Sequence, residues 1–298
     1  MSKKIKLEGV IPPVATPFKS NGEIDFTAYE SNLKKWVEKG VNGILAFGSN
    51  GETVHLTQDE KIELVKKSSE VLPEDKLLIA GSGGLTPEET IELTNRSAKH
   101  GADVALVITP YFYSSNMTEK ALIKYYEEVA AKAEIPIMLY NVPKYTGIKI
   151  PLEVIAELSK NENIIGMKDS SGDITYLAQI MEVSAEDFDP LVGTANAFYP
   201  ALTLGVQGGI LALANIAPAE CVKVLNLVKE NKLDKARKLY TKLIPTNKAV
   251  TAKYGIPGLK AAMDKLGYYG GKPRKPLITL DDKEKEELFS TLEKADLL

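Results

Sequence analysis

The sequence predicts an α/β fold, a (β/α)8 TIM barrel with a C-terminal helical appendage. Three observations predict it: eight short apolar runs, helix-like segments between them, and small or polar residues directly after most runs. Strands that alternate with helices form a parallel sheet, and eight such units in one domain close into a barrel. The predicted strands are Gly9–Ala15, Gly43–Phe47, Leu77–Ala80, Asp103–Thr109, Pro136–Tyr140, Ile164–Met167, Pro190–Val192 and Gly209–Ala214.

The segments between the runs carry helix start and stop signals. Phe26–Lys39 places its apolar residues on one face and stops before a glycine. Thr57–Glu60 and Thr86–Glu89 have the spacing of capping boxes. Pro151 and Pro218 open the helices after the fifth and eighth strands.

The alternation of strand and helix stops near residue 230. We therefore predict a barrel over residues 1–230 and a three-helix extension over residues 231–298. The helices of the extension are predicted at Asp234–Lys242, Pro257–Leu266 and Asp281–Lys294.

Composition narrows the classes of function. The chain has 298 residues, a net charge of −3 and 44% hydrophobic residues, which predicts no nucleic-acid or membrane partner. Cys221 is the only cysteine, and neither His55 nor His100 has a partner at metal-ligand spacing. No signal peptide or membrane span is recognisable. We expect a cytoplasmic protein without metal or cofactor, and a solvated loop at residues 272–275.

The most informative residue is Lys168, which follows the apolar run Ile164–Met167. Lysine is uncommon at the end of a buried strand. Desolvation there favours a neutral amine, which is nucleophilic towards carbonyl groups. Taken alone, a lysine at this position is better explained as a side chain that reaches solvent from the strand end.

Two further strand ends strengthen the catalytic interpretation. Tyr140 ends the strand beside that of Lys168, where a phenol can relay protons to and from an imine. The loop Gly48–Glu52 follows strand two and can present successive backbone N–H groups to a small carboxylate. Each feature also has a plain structural interpretation, as a rim tyrosine or a glycine-rich loop, but together they predict a 2-oxo-acid site.

Three motifs resemble those of the dihydrodipicolinate synthase / N-acetylneuraminate lyase family, and the resemblance extends along nearly the whole chain. They are Gly48-Ser49-Asn50-Gly51-Glu52, Tyr140-Asn141-Val142-Pro143 with Thr146-Gly147, and Gly166-Met167-Lys168-Asp169-Ser170.

The resemblance implies a tetrameric barrel that binds pyruvate as a Schiff base on Lys168, with Tyr140 as the proton relay. It places Ser49 beside them as an assisting hydroxyl, and Gly48 and Asn50 in the loop that binds the pyruvate carboxylate. It also places Gly193, Ile210 and the aromatic residues Tyr111 and Tyr145 in the substrate pocket.

Three positions depart from the pattern of the lysine-biosynthesis synthases. Ser49-Asn50 replaces a Thr-Thr pair, Tyr145 replaces an arginine, and Phe112 replaces a tyrosine that is lent across a subunit interface. Asparagine cannot relay a proton as a hydroxyl does, and neither Tyr145 nor the adjacent Lys144 reproduces a bidentate guanidinium. Lys144 is expected to point away from Tyr145 in an extended segment.

The loop Gly48–Glu52 instead resembles the loop of 4-hydroxy-2-oxoglutarate aldolases and of 3-deoxy-hexulosonate aldolases. The departures and this resemblance favour a lyase, a class I aldolase that cleaves a 4-hydroxy-2-oxo acid, such as 4-hydroxy-2-oxoglutarate or a 2-keto-3-deoxy sugar acid, to pyruvate and an aldehyde. Three alternatives remain open: a synthase that condenses pyruvate with aspartate semialdehyde, a 2-keto-3-deoxy sugar acid dehydratase, and a non-catalytic pyruvate sensor. Product identification distinguishes them.

Overall fold

A computed structural model describes residues 5–298. Its strands are β1 Gly9–Ile11, β2 Gly43–Ala46, β3 Leu77–Ala80, β4 Val104–Ile108, β5 Ile137–Asn141, β6 Ile164–Asp169, β7 Asp189–Val192 and β8 Gly208–Ile210. They form one sheet in the order β1-β8-β7-β6-β5-β4-β3-β2. Every pairing recorded from β3 to β8 is parallel. This is the strand order of a (β/α)8 barrel, so the predicted fold class is confirmed.

Three strand ends differ from the prediction by more than one residue. β1 ends at Ile11, and the prediction that it continues to Ala15 was wrong. β6 continues to Asp169, so Lys168 lies within the strand and pairs in register with β5. β8 ends at Ile210, and the prediction that it continues to Ala214 was wrong. The chain turns at Ala212–Asn215 instead. An apolar run alone does not distinguish a buried strand from a buried turn.

Helices follow the strands, and most begin where the caps predict. They are α1 Phe26–Glu38, α2 Gln58–Val71, α3 Pro87–Lys99, α4 Glu119–Lys132, α5 Pro143–Thr146, α6 Leu152–Leu158, α7 Ile174–Val183, α8 Phe198–Leu204, α9 Pro218–Lys229, α10 Leu233–Lys248, α11 Gly255–Lys265 and α12 Asp282–Lys294. The boundary predicted near residue 230 falls between α9 and α10 and stays a prediction.

The two predicted capping boxes differ. At the start of α2, Thr57 accepts from the backbone of Glu60, and the Glu60 carboxylate accepts from the Thr57 N–H in return. At the start of α3, Thr86 caps Glu89, but the Glu89 carboxylate accepts a long 3.4 Å bond from the Leu85 N–H instead. Only the first is a complete capping box.

The chain divides into two compact units. The first consists of residues up to Gly9 and Ile79–Ile210, and the second of Val10–Leu78 and Leu211–Leu298. The first unit contains the complete strands β4, β5, β6, β7 and β8. Their apolar residues are almost all buried, because strands covered by helices on one face and filled by side chains on the other have no solvated face.

The second unit is organised around buried polar anchors as well as apolar side chains. Asn215 is fully buried and accepts from the Ala15 N–H through Oδ1, while its Nδ2 donates to the Pro13 carbonyl. Trp36 is also fully buried and donates its indole N–H to the Asn215 carbonyl at 3.0 Å. These bonds tie α1 and the segment after β8 to the chain that follows β1. Within residues 5–298, no helix combines the length and apolar character that crossing a membrane requires.

Candidate active site

Lys168 and Tyr140 lie side by side at the ends of β6 and β5. Their Cα atoms are register partners in the parallel pair. Lys168 is 3% exposed and Tyr140 is 6% exposed. The Lys168 Nζ lies 4.4 Å from the centroid of the Tyr140 ring. The two residues that the sequence singled out for chemistry are therefore in contact and shielded from bulk solvent, as an imine-forming amine and its proton relay require.

A buried polar tie joins the same two strand ends one residue further on. Asn141 Nδ2 donates to Asp169 Oδ1 at 2.6 Å. Asp169 also accepts from the N–H and the hydroxyl of Ser171, and Asn141 Oδ1 accepts from the Ile150 N–H. Burial raises the pKa of the Asp169 carboxyl above its ordinary value, and the bonds from Ser171 and Asn141 oppose that shift. The Asn141–Asp169 hydrogen bond fixes the strand register that places Lys168 against Tyr140. Sequence reasoning did not predict this hydrogen bond.

Gly193 follows β7 and makes a very close approach to the loop after β6. Its N–H donates to the Asp169 carbonyl at 2.6 Å. A Cβ atom added at Gly193 would lie 2.0 Å from the Ser170 Oγ, so no larger residue fits without movement. The Ser170 hydroxyl is buried and has no hydrogen-bond partner among the described residues. Ile210, the last residue of β8, is completely buried.

The aromatic residues that follow β4 are mostly exposed. Tyr111 is half-buried, whereas Phe112 is 71% and Tyr113 is 69% exposed. The rings of Phe112 and Tyr113 pack edge to face at 5.0 Å. Tyr111 is thus the most enclosed of the three.

Tyr145 lies in the helical turn α5 and is 57% exposed. Desolvation of its phenol raises the pKa of Tyr145, and an electrostatic interaction with Tyr140 adds to the shift. Lys144 does not point away, as an extended segment would require. Its ammonium lies 5.6 Å from the centroid of the Tyr145 ring, because Pro143–Thr146 is helical. A positive charge therefore accompanies Tyr145.

The loop after β2 belongs to the second compact unit. Gly48 is buried, and Ser49 and Asn50 are half-buried in a 3-10 turn that ends at Gly51. The Thr16 hydroxyl donates to the Gly51 carbonyl at 2.7 Å. These contacts give the loop a defined shape within its own unit.

Glu52, the last residue of this loop, is the centre of a polar network that sequence reasoning missed. Lys260 of α11 forms a fully buried ion pair with it at 2.6 Å. The Arg274 N–H donates to the same carboxylate at 2.9 Å. Arg274 was expected in a solvated loop, but its guanidinium donates to both carboxylate oxygens of Glu60 and to the carbonyls of Gly22 and His55. The expectation was wrong for Arg274 because folding buries a long basic side chain among acceptors that are distant in sequence.

No group of three or more His, Cys, Asp or Glu side chains that could hold a metal ion occurs within residues 5–298.

The model of the Dihydrodipicolinate synthetase family matches residues 6–295. This chain belongs to that family.

The similarity to relatives and to solved structures extends along nearly the whole chain. The chain is 34% identical to a 4-hydroxy-tetrahydrodipicolinate synthase of Methanothrix thermoacetophila, with 96% of each chain covered. It is 32% identical to the synthase of the same name from Archaeoglobus fulgidus, over 98% of this chain and 99% of the relative. The structure matches a chloride-inhibited dihydrodipicolinate synthase of Acinetobacter baumannii complexed with pyruvate. That match has a TM-score of 0.93 at 28% identity, and covers 98% of this chain and all of the other.

Family membership makes the chain a class I, pyruvate-dependent protein of the aldolase family, an enzyme of the lyase type that acts on carbon–carbon bonds through a Schiff base. The expectation that it cleaves a 4-hydroxy-2-oxo acid is not supported. The relatives that share most of its length are named as synthases, so the synthase alternative is better supported. That expectation depended on a few loop positions, and the helical turn at Lys144 removes part of its basis.

Proposed function

We propose that this protein condenses pyruvate with aspartate 4-semialdehyde to 4-hydroxy-tetrahydrodipicolinate, through an imine on Lys168. The observation that carries the proposal is the buried contact between Lys168 and Tyr140 on neighbouring strand ends. The names of the curated relatives support the choice of reaction.

Lys168 acts as the nucleophile. Its neutral amine adds to C2 of pyruvate, and loss of water from the carbinolamine gives the imine. Removal of a proton from C3 gives the enamine, whose C3 forms a carbon–carbon bond with the aldehyde carbon. The amino group of the semialdehyde then displaces Lys168 at C2 and closes the ring. One water leaves overall, and Lys168 is regenerated.

Tyr140 relays the protons of these steps. It protonates the carbinolamine hydroxyl as water leaves and the aldehyde oxygen as the new bond forms. The low exposure of both side chains supports this role, because proton transfer between positioned groups is more effective where water is excluded. Ser49 is proposed as an assisting hydroxyl.

We assign the pyruvate carboxylate to the backbone N–H groups of Ser49 and Asn50, with Gly48 at the start of the loop. The resemblance to the family supports this assignment, as does the defined shape of the loop. Gly193, Ile210 and Tyr111 complete the proposed pocket.

We also propose that the protein is a homotetramer and that it is located in the cytoplasm. Light scattering of the purified protein tests the tetramer.

We assign the carboxylate of the semialdehyde to the Lys144–Tyr145 pair. The Lys144 ammonium is close to the Tyr145 ring and supplies the positive charge that a tyrosine alone lacks. A lysine binds a carboxylate as a point charge rather than as a planar fork. We therefore expect weaker discrimination between aldehydes than an arginine would give.

Product identification tests the reaction. The enzyme is incubated with pyruvate plus aspartate semialdehyde and, separately, with 4-hydroxy-2-oxoglutarate or 2-keto-3-deoxygluconate. We expect the highest kcat/KM for the condensation. Faster release of pyruvate from 4-hydroxy-2-oxoglutarate or from 2-keto-3-deoxygluconate would reject the synthase assignment.

The variant Lys144→Met, which keeps a side chain of similar length without its charge, tests the assignment of the semialdehyde carboxylate. We expect its KM for the semialdehyde to rise about tenfold, the equivalent of 1.4 kcal/mol, while pyruvate binding is unchanged. An unchanged KM for the semialdehyde would show that Lys144 does not bind the carboxylate.

A further inference from the structure

We propose that Lys260 and Glu52 are positioning residues, which fix the Gly48–Glu52 loop in the shape that binds the pyruvate carboxylate. The inference rests on the proposed function of that loop and extends it to the C-terminal extension. All the residues whose contacts support this inference belong to the second compact unit.

The loop is held in an unfavourable backbone conformation at both ends. Phe47, directly before it, has φ +38°, and Glu52, its last residue, has φ +60°. Residues with a Cβ atom adopt this region at a cost, and such a conformation persists only where surrounding contacts enforce it. The loop therefore requires anchors.

The Glu52 side chain provides the strongest anchor. Its Oε1 lies 2.6 Å from the Lys260 Nζ, and its Oε2 accepts from the Arg274 N–H at 2.9 Å. The His55 Nδ1 lies 3.2 Å from the same Oε2. Both Glu52 and Lys260 are essentially inaccessible to solvent, so their attraction is only weakly screened by water.

Lys260 is itself held from several sides. Its Nζ donates to the Lys272 carbonyl at 3.2 Å and lies 4.3 Å from the centroid of the Phe18 ring. Burial lowers the pKa of Lys260, and the Glu52 carboxylate opposes that shift. Gly270 packs against its backbone so closely that an added Cβ would lie 2.1 Å from the Lys260 carbonyl oxygen. The ammonium therefore has a fixed position from which to hold Glu52.

This arrangement explains the presence of a buried charge pair. A buried ion pair generally stabilises a fold no more than an apolar pair of similar size, because both charges must be desolvated. A buried pair does fix geometry, since the carboxylate has few other places to find its donors. Glu52 is two residues after Asn50, so a shift of its carboxylate moves the N–H groups proposed to bind pyruvate.

The test compares the neutral double variant Glu52→Ala/Lys260→Met with the wild-type enzyme and with a matched control. The control is Lys253→Met/Glu287→Ala, which removes an exposed ion pair of the same unit that lies outside the loop network. Two quantities are measured for each: amide hydrogen exchange in peptides that cover residues 44–57, and borohydride trapping of the pyruvate imine as a function of pyruvate concentration.

We expect loop exchange in the double variant to be at least tenfold faster, and the pyruvate concentration for half-maximal trapping to rise at least tenfold. The extent of trapping at saturating pyruvate should be preserved, because Lys168 is untouched. The control should match the wild type in both measurements. Wild-type exchange and wild-type concentration dependence in a folded double variant would overturn the inference.

If the double variant does not fold, the single variant Glu52→Gln tests the inference instead, because it keeps the shape of the Glu52 side chain and removes its charge. A rise of about threefold or more in the half-maximal pyruvate concentration is expected, and no rise would overturn the inference. A wild-type enzyme that traps no pyruvate would instead reject the proposed function. Loop exchange would still show whether Lys260 and Glu52 fix the loop.

Discussion

Lys168 and Tyr140 are register partners on adjacent parallel strands, and the lysine Nζ lies 4.4 Å from the centroid of the tyrosine ring. Neighbouring positions at the ends of parallel strands point to the same face of a sheet. The contact therefore follows from the register of β5 and β6. The Asn141–Asp169 hydrogen bond fixes that register one residue further on.

Tyr140→Phe is expected to form the pyruvate imine slowly and to reduce kcat by about 10²–10⁴, because it removes a positioned proton relay and leaves the ring in place. Steady-state condensation rates and the yield of borohydride-trapped imine measure the two effects. Turnover at the wild-type rate would assign the relay to another residue, with Tyr111 the next to test.

Gly193→Ala is expected to lower the free energy of unfolding by about 1–3 kcal/mol, because the new methyl group overlaps the Ser170 Oγ. Ser170→Gly in the same chain should restore part of the loss, since it removes the overlapping side chain. Urea unfolding of the two single variants and the double variant measures the coupling. Strictly additive losses would show that the two residues do not clash.

Lys260→Met alone is expected to lower the free energy of unfolding by about 3–5 kcal/mol, because it leaves the Glu52 carboxylate buried without its cation. Glu52→Ala/Lys260→Met should be more stable than this single variant, since no charge remains uncompensated. Urea unfolding compares them. A single variant as stable as the double would show that solvent or a rearranged cation reaches Glu52.

Glu60→Gln tests the pH dependence of the Arg274 anchor. Hydrogen bonds from Arg274 lower the pKa of Glu60 below its ordinary value of 4.5. The ion pair thus stabilises the fold fully above pH 4.5, and this contribution is lost as the pH falls through the lower pKa of the folded state. We expect the variant to be about 1–3 kcal/mol less stable at pH 7 and the gap to close in acid.

Thermal unfolding from pH 7 to pH 3 measures that gap. Glu63→Gln is the control, because Glu63 is half exposed and its nearest lysine nitrogen is 4.0 Å away. A gap for Glu60→Gln that stays constant with pH would show that the charge of Glu60 contributes nothing.

The features that sequence predicted are local in the chain. Most strands end within two residues of the end of an apolar run, so the strand-end positions of Lys168 and Tyr140 could be inferred before their distance was known. The error at β8 arose because Leu211–Ala214 is as apolar as a strand, yet it forms a turn around the polar anchor Asn215.

The features that sequence missed depend on long-range contacts or on local backbone shape. Arg274 and Glu52 are 222 positions apart, and nothing in the local sequence of either indicates the other. Lys144 was expected to face away from Tyr145 because the segment was treated as extended. The turn begun by Pro143 is helical and brings the ammonium to the ring.

The measurement that tests the central claim most directly is the location of the covalent intermediate. The enzyme is incubated with pyruvate, reduced with borohydride, digested and examined by peptide mass analysis, with Lys168→Ala treated in parallel. The account predicts one stable adduct, on Lys168, and none in the variant. An adduct on a different lysine, or full activity of Lys168→Ala, would contradict it.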